Sequence, residues 1–133
     1  MWLMLVVPSA WACEPEPRLG DRDAITARAI LIATVNEAYL DATQTGRGAP
    51  VIFLKTEEVL KGNARATFEH VVRCNDSFIF KPGDRAILVT DTEGATRLTD
   101  PRHYPDYERE IRSSLRRMRV PGGSVEVGVV KTP

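Results

Sequence analysis

Cysteine is scarce in this 133-residue chain, which has only Cys13 and Cys74. Two thiols are too few for a structural zinc site, which takes four ligands. The two histidines, His70 and His103, lack ligand spacing to either thiol. Net charge is absent too: 18 basic residues balance 18 acidic ones. That balance argues against a protein built for phosphate backbones or acidic membranes. No apolar run reaches the about 20 residues that a membrane-spanning helix needs. No nucleophile elbow, phosphate loop, zinc-protease motif or acid–base pair is present. These absences argue against an enzyme and call for no cofactor.

What is present begins with residues 1–12, MWLMLVVPSAWA. They read as the end of a secretory signal peptide, without the basic start of one. Trp2–Val7 is a short apolar core, and Ala10-Trp11-Ala12 is a small-x-small cleavage pattern. Cleavage there makes Cys13 the first mature residue. A lipoprotein signal would also put cysteine at that point, but it favours leucine three positions earlier, where Ala10 stands. Export is therefore expected to the periplasm, cell envelope or outside, with lipid anchoring at Cys13 the lesser alternative. Two cysteines in an exported chain are most simply one disulfide. It would close a loop of roughly 60 residues, for which chain entropy allows ~4 kcal/mol at most. Free thiols or a metal pair are the alternatives.

The chain is organised around residues 74–90, CNDSFIFKPGDRAILVT. Its apolar run Ala86–Val89, bounded by Pro82-Gly83-Asp84 and Asp91, reads as a strand buried on most sides. Before it, residues 14–23 carry two prolines and a glycine and read as an extended arm. Residues 25–40 alternate Ala27, Ala29, Leu31, Ala33 and Val35 with Ile30 and Ile32 between them. Both faces are apolar, as in a long central strand, which the branched residues favour over the helix that the alanines would allow. Residues 51–62 form a second strand with a bulge near Thr56-Glu57-Glu58, ending in the turn Lys61-Gly62-Asn63. Residues 64–72 alternate, with Phe68, His70 and Val72 inward. His70 is there read as a satisfied core or rim residue. A short strand follows at 95–99.

Asp100-Pro101 resembles a helix start. Tyr104, Tyr107, Ile111, Leu115 and Met118 then recur at steps of 3, 4, 4 and 3. That stripe predicts a helix over 103–119, ended by Pro121-Gly122-Gly123. Residues 121–133 are a tail or an edge strand. The fold class is mainly β: a five-stranded Greek-key OB-fold barrel with a C-terminal α-helix, one domain over 13–120. A sandwich is the nearest competitor.

These residues resemble the tissue-inhibitor-of-metalloproteinases (TIMP) and netrin-type superfamily, in its small bacterial secreted form. The resemblance rests on a mature N-terminal cysteine, the strand ARAILIATV, and Phe53 leading to Val59-Leu60-Lys61-Gly62. Cys74, Phe78 or Phe80, Gly83 and Ile87-Leu88-Val89 complete it, so that it spans about residues 13–99. It implies an OB-type barrel, a Cys13–Cys74 disulfide and, in the inhibitors, chelation of a protease zinc by the amino and carbonyl groups of the first cysteine. Such a site here would be Cys13 and Glu14. Three departures weaken that transfer, the first being that the inhibitors carry several disulfides where this chain can make only one. Pro15 stands where the inhibitors carry a second cysteine, and the anionic Glu14 is costly to bury in an apolar specificity pocket.

The remaining features have plain readings. Arg109, Arg112, Arg116, Arg117 and Arg119 suggest an anion-binding face, but read more simply as a solvated helix face aided by a Glu108–Arg112 pair. Tyr104 and Tyr107 pack rather than stack on a ligand. Asp21, Asp23, Asp91, Glu93 and Asp100 are spaced for turns rather than for a calcium loop. The expectation is an exported, monomeric, non-catalytic binding module for a protein or envelope ligand, with no nucleic acid and no transmembrane segment. Inhibition of a zinc metalloprotease through Cys13 is the alternative. A lipid-anchored structural envelope protein is a second one.

Overall fold

The computed structural model describes residues 17–41, 49–73, 76, 80–118 and 123–126. The described chain is mainly β. Its elements in order are α1 (Gly20–Thr26), β1 (Ala29–Asp41), β2 (Ala49–Lys61), β3 (Asn63–Arg65), β4 (Thr67–Val71), β5 (Arg85–Thr90), β6 (Thr96–Thr99), α2 (Tyr107–Arg117) and β7 (Ser124–Glu126).

Five strands make one antiparallel sheet in the order β4-β2-β1-β5-β6. Strand β5 returns beside β1 after the run β1-β2-β4, which is Greek-key order. The sheet is curled into a half-barrel, with β4 and β6 as its two edges. This agrees with the expected small OB-like barrel with a C-terminal helix. A separate parallel pair joins β3 to β7, so the tail supplies a short strand.

The central strand expected over 25–40 runs over Ala29–Asp41, with Ile25 and Thr26 in α1 instead, and Ile30, Leu31, Ile32, Ala33 and Val35 on its two faces are buried. Ile30 and Ile32 pack with Ala24, Ala27, Ile87, Tyr107, Ile111 and Leu115 beneath the two helices. Leu31, Ala33 and Val35 pack with Ile52, Leu54, Leu88 and Leu98 in the hollow of the curled sheet. The helix layer thus covers one face and the sheet itself covers the other. The pairing of β1 with β2 slips at three places, one of them between Val35 and Glu37. Such bulges sharpen the bend of a strand.

The N-terminal arm differs from expectation. Residues 20–26 form α1 instead of extended chain. Asp21 and Asp23 lie in its first turn, where carboxylates favour the helix N-terminus. Its position depends on Gly20: a β-carbon there would meet Glu110 Cβ at 2.5 Å and the Tyr107 carbonyl oxygen at 2.9 Å. The close approach of α1 to α2 therefore needs glycine. Gly62 is needed for a different reason, because it turns β2 into β3 at φ 77°.

The single strand expected at 64–72 breaks at Ala66. Thr56 bonds both sides of the break, its N–H donating to Ala66 O and its hydroxyl to Arg65 O. The helix expected over 103–119 runs over Tyr107–Arg117. Asp100 starts a turn instead, accepting from the N–H groups of Arg102, His103 and Tyr104. Pro105 then disfavours helical geometry at Tyr104. The expected stripe is otherwise present: Tyr107, Ile111 and Leu115 are buried, Tyr104 packs against them, and Met118 is exposed. Among the described residues, no helix is long and apolar enough to cross a membrane.

Candidate functional site: the seam between the sheet edges

Every pairing in the five-stranded sheet is antiparallel. The edge strands β4 and β6 therefore run in the same direction across the open side of the curl. A cleft of about 560 Å³ lies in this seam. Glu69, His70 and Val71 of β4 line one wall, and Thr96 and Arg97 of β6 line the other. The Asp91–Ala95 turn and the inner side of α1 complete it.

Asp76 ties the seam together. Its carboxylate is 1% exposed and accepts from three parts of the chain. Leu98 N–H of β6 donates to Oδ1 at 2.5 Å. Arg73 N–H donates to Oδ2 at 2.7 Å, and His70 Nε2 of β4 lies 2.8 Å from the same oxygen. A buried carboxylate with three donors is well satisfied. The alternation of 64–72 places His70 on the inner side of β4, where the structure shows it as a rim residue paired to a buried acid.

A second buried group forms the floor. Asp23 of α1 and Arg97 of β6 meet at 2.5 Å, both nearly enclosed. Tyr107 of α2 donates its hydroxyl to Asp23 and accepts from Arg97 Nη2 at 3.1 Å. Burial, followed by the Asp23 carboxylate, pushes the Tyr107 hydroxyl well above its ordinary range. The tyrosine stays neutral and serves as a donor. Tyr107 is thus a packing residue, as its helical spacing implies, with a polar tip that links three elements. Arg18 reaches the outer edge of β6, donating to Thr99 Oγ1 at 2.8 Å and to Leu98 O at 3.2 Å. Its guanidinium sits 5.2 Å from the centre of the Tyr104 ring, within cation–π range. Burial and the neighbouring Arg97 lower its pKa.

Two arginines of α2, Arg112 and Arg117, attach the helix to other elements, while Arg116 is exposed. Arg112 holds Glu58 of β2 at 2.6 and 2.9 Å and Glu108 at 2.8 Å. Glu108 in turn holds Arg85 of β5. Arg109 pairs with Asp106, and Arg117 with Asp21. These pairs match the solvated-face reading; Arg119 lies outside the described residues. Of the acidic residues, Asp91 and Asp100 do bond turn N–H groups, but Asp23 is a buried ion-pair partner.

Sequence reasoning did not single out Arg97 or Asp76, and it read Asp23 as turn chemistry. Asp23 and Arg97 stand 74 positions apart, so no local spacing links them. The one available signal was a charged residue, Arg97, inside an otherwise strand-like run. Cys13, Glu14 and Cys74, the expected disulfide and chelating end, lie outside the described residues, as does the expected signal peptide. In comparisons with known proteins, no family model matches the chain and no curated sequence matches it.

Proposed function

We propose that this chain is an exported, non-catalytic binding module, and that it takes a protein or envelope ligand in the seam between β4 and β6. The observation that carries this reading is the cleft itself. It is concave, of ligand-sized volume, and walled by the two edges of one sheet. Its buried ionic groups are already committed to one another. Asp76 accepts from three donors, and Asp23 from Arg97, Tyr107 and Arg22. Groups so paired stiffen the walls, and a stiff site loses little entropy on binding. Among the described residues the lining carries two hydroxyls, and both are hydrogen-bonded: Thr26 donates to Arg22 O, and Thr96 bonds Thr90. That favours binding over nucleophilic chemistry.

The test fills the cleft without touching its ionic groups. Ala95 is exposed and lines the cleft, so Ala95→Trp blocks it. Wild-type and variant chains are immobilised and exposed to a cell-envelope extract. The expected result is a ligand retained by the wild type and lost from the variant at unchanged melting temperature. Equal retention by both, or chemical conversion of the retained ligand, contradicts the reading.

A further inference from the structure

The two edges of the seam are not equivalent. On β6, Leu98 turns its N–H and C=O outward, and both are taken within the chain, by Asp76 and Arg18. Strand β4 is different. The bond from Thr56 N–H to Ala66 O fixes the phase of the β2–β4 ladder. Because hydrogen-bonded positions alternate along an antiparallel pair, Phe68 and His70 bond inward to β2. Thr67, Glu69 and Val71 then direct their N–H and C=O groups away from the sheet. Among the described residues no group bonds them. A run of unpaired main-chain groups is a template for a further strand.

Charge indicates what kind of strand. Glu69 is exposed and makes no ion pair with a described residue. Glu37 stands in the same cross-strand row, opposite Phe53, which is opposite Glu69. The bulge after Val35 creates that alignment by bringing Glu37 rather than Asn36 opposite Phe53. Glu37 is also exposed and unpaired among the described residues. The edge strand therefore carries one acidic side chain, Glu69, on its open main-chain ladder, with Glu37 two strands inward on the same face and Lys55 opposite Thr67.

We propose that the β4 edge takes an extended cationic peptide segment. It pairs main chain to main chain along Thr67, Glu69 and Val71, with a lysine or arginine opposite Glu69. Strand addition of this kind draws affinity from main-chain bonds and selectivity from alternate side chains. A second copy of the chain pairing through the same edge about Glu69 would oppose two carboxylates, which is unfavourable. This inference rests on the binding reading above and narrows the ligand to a peptide.

The probe is a blocked octapeptide of alternating threonine and valine with one central lysine, added to the full chain. Amide exchange is followed by NMR. The expected result is slowed exchange at Thr67, Glu69 and Val71, and binding roughly three- to tenfold tighter than that of the same peptide with glutamate. N-methylation of the peptide at alternate amides abolishes the effect. Glu69→Lys reverses the preference, so that the glutamate peptide binds more tightly. Glu69→Pro removes one outward N–H and no ladder bond, and it weakens both peptides. Absence of binding, binding that slows other amides, or equal binding of the N-methylated peptide overturns the proposal. Protection of these amides without peptide, in a chain of doubled mass, also overturns it and assigns the edge to a second copy. If the cleft retains an envelope ligand while the peptide never binds, this inference fails and the binding reading stands.

Discussion

At the scale of single residues, Asp76 matters most. One buried carboxylate joins β4, the turn at Arg73 and β6. Replacing it with alanine leaves the Leu98 and Arg73 N–H groups and the His70 ring without their acceptor. Buried donors stranded in this way are expensive. Asp76→Ala is expected to lower unfolding free energy by about 3 kcal/mol, measured by denaturant titration, and Asp76→Asn by less. A loss within experimental error for Asp76→Ala would mean that the latch holds nothing. This residue was not legible in the sequence. Its neighbours Asn75 and Ser77 make it look like loop chemistry, and its partner Leu98 is a backbone group that no side-chain pattern reveals. The same holds for Asp23. Its helix forms because Gly20 allows α1 to approach α2, a tertiary fact invisible in residues 14–23.

At the scale of elements, α2 is held in two ways. Its apolar stripe buries Tyr107, Ile111 and Leu115, and that much was legible from spacing alone. The flank of that stripe is clamped to the sheet by the chain Arg85–Glu108–Arg112–Glu58. The hydrogen bond from Arg85, opposed by burial and helped by Arg112, lowers the Glu108 carboxyl below its ordinary 4.5. Arg112 lowers Glu58 in the same direction. Burial works to raise the Asp100 carboxyl, but the hydrogen bonds from Arg102 outweigh it and hold it low. A carboxyl depressed in the folded state adds stability that is complete above its unfolded value and lost as pH falls through the folded one. Stability is therefore expected to decline as pH drops below about 4.5. Glu108→Gln is expected to be less stable than wild type at pH 7, with the gap narrowing toward pH 3, as read from melting temperatures. A gap constant with pH would show that the clamp contributes no charge-dependent stability. The Glu108–Arg112 half of this clamp was visible as an i,i+4 pair. The Arg85 and Glu58 halves were not, because they come from strands distant in sequence.

At the scale of the whole molecule, the strands were largely legible. The apolar run Ala86–Val89 is β5, buried as expected, and the doubly apolar 29–35 segment is the centre of the sheet. What the sequence left open was how both faces of β1 are covered. A closed barrel was one way. The structure uses a helix pair on one side and a curled sheet on the other, leaving β4 and β6 as edges with a cleft between them. That open seam is the basis of the functional reading, and amide exchange of the free chain tests it most directly. In β4, Phe68 and His70 are expected to exchange slowly, and Thr67, Glu69 and Val71 fast. Across the cleft, Leu98 is expected to be slow because its N–H is bonded to a buried carboxylate. Equal protection along the whole of β4 in the monomeric chain would mean that β4 is already paired on its outer side, and would contradict the open seam.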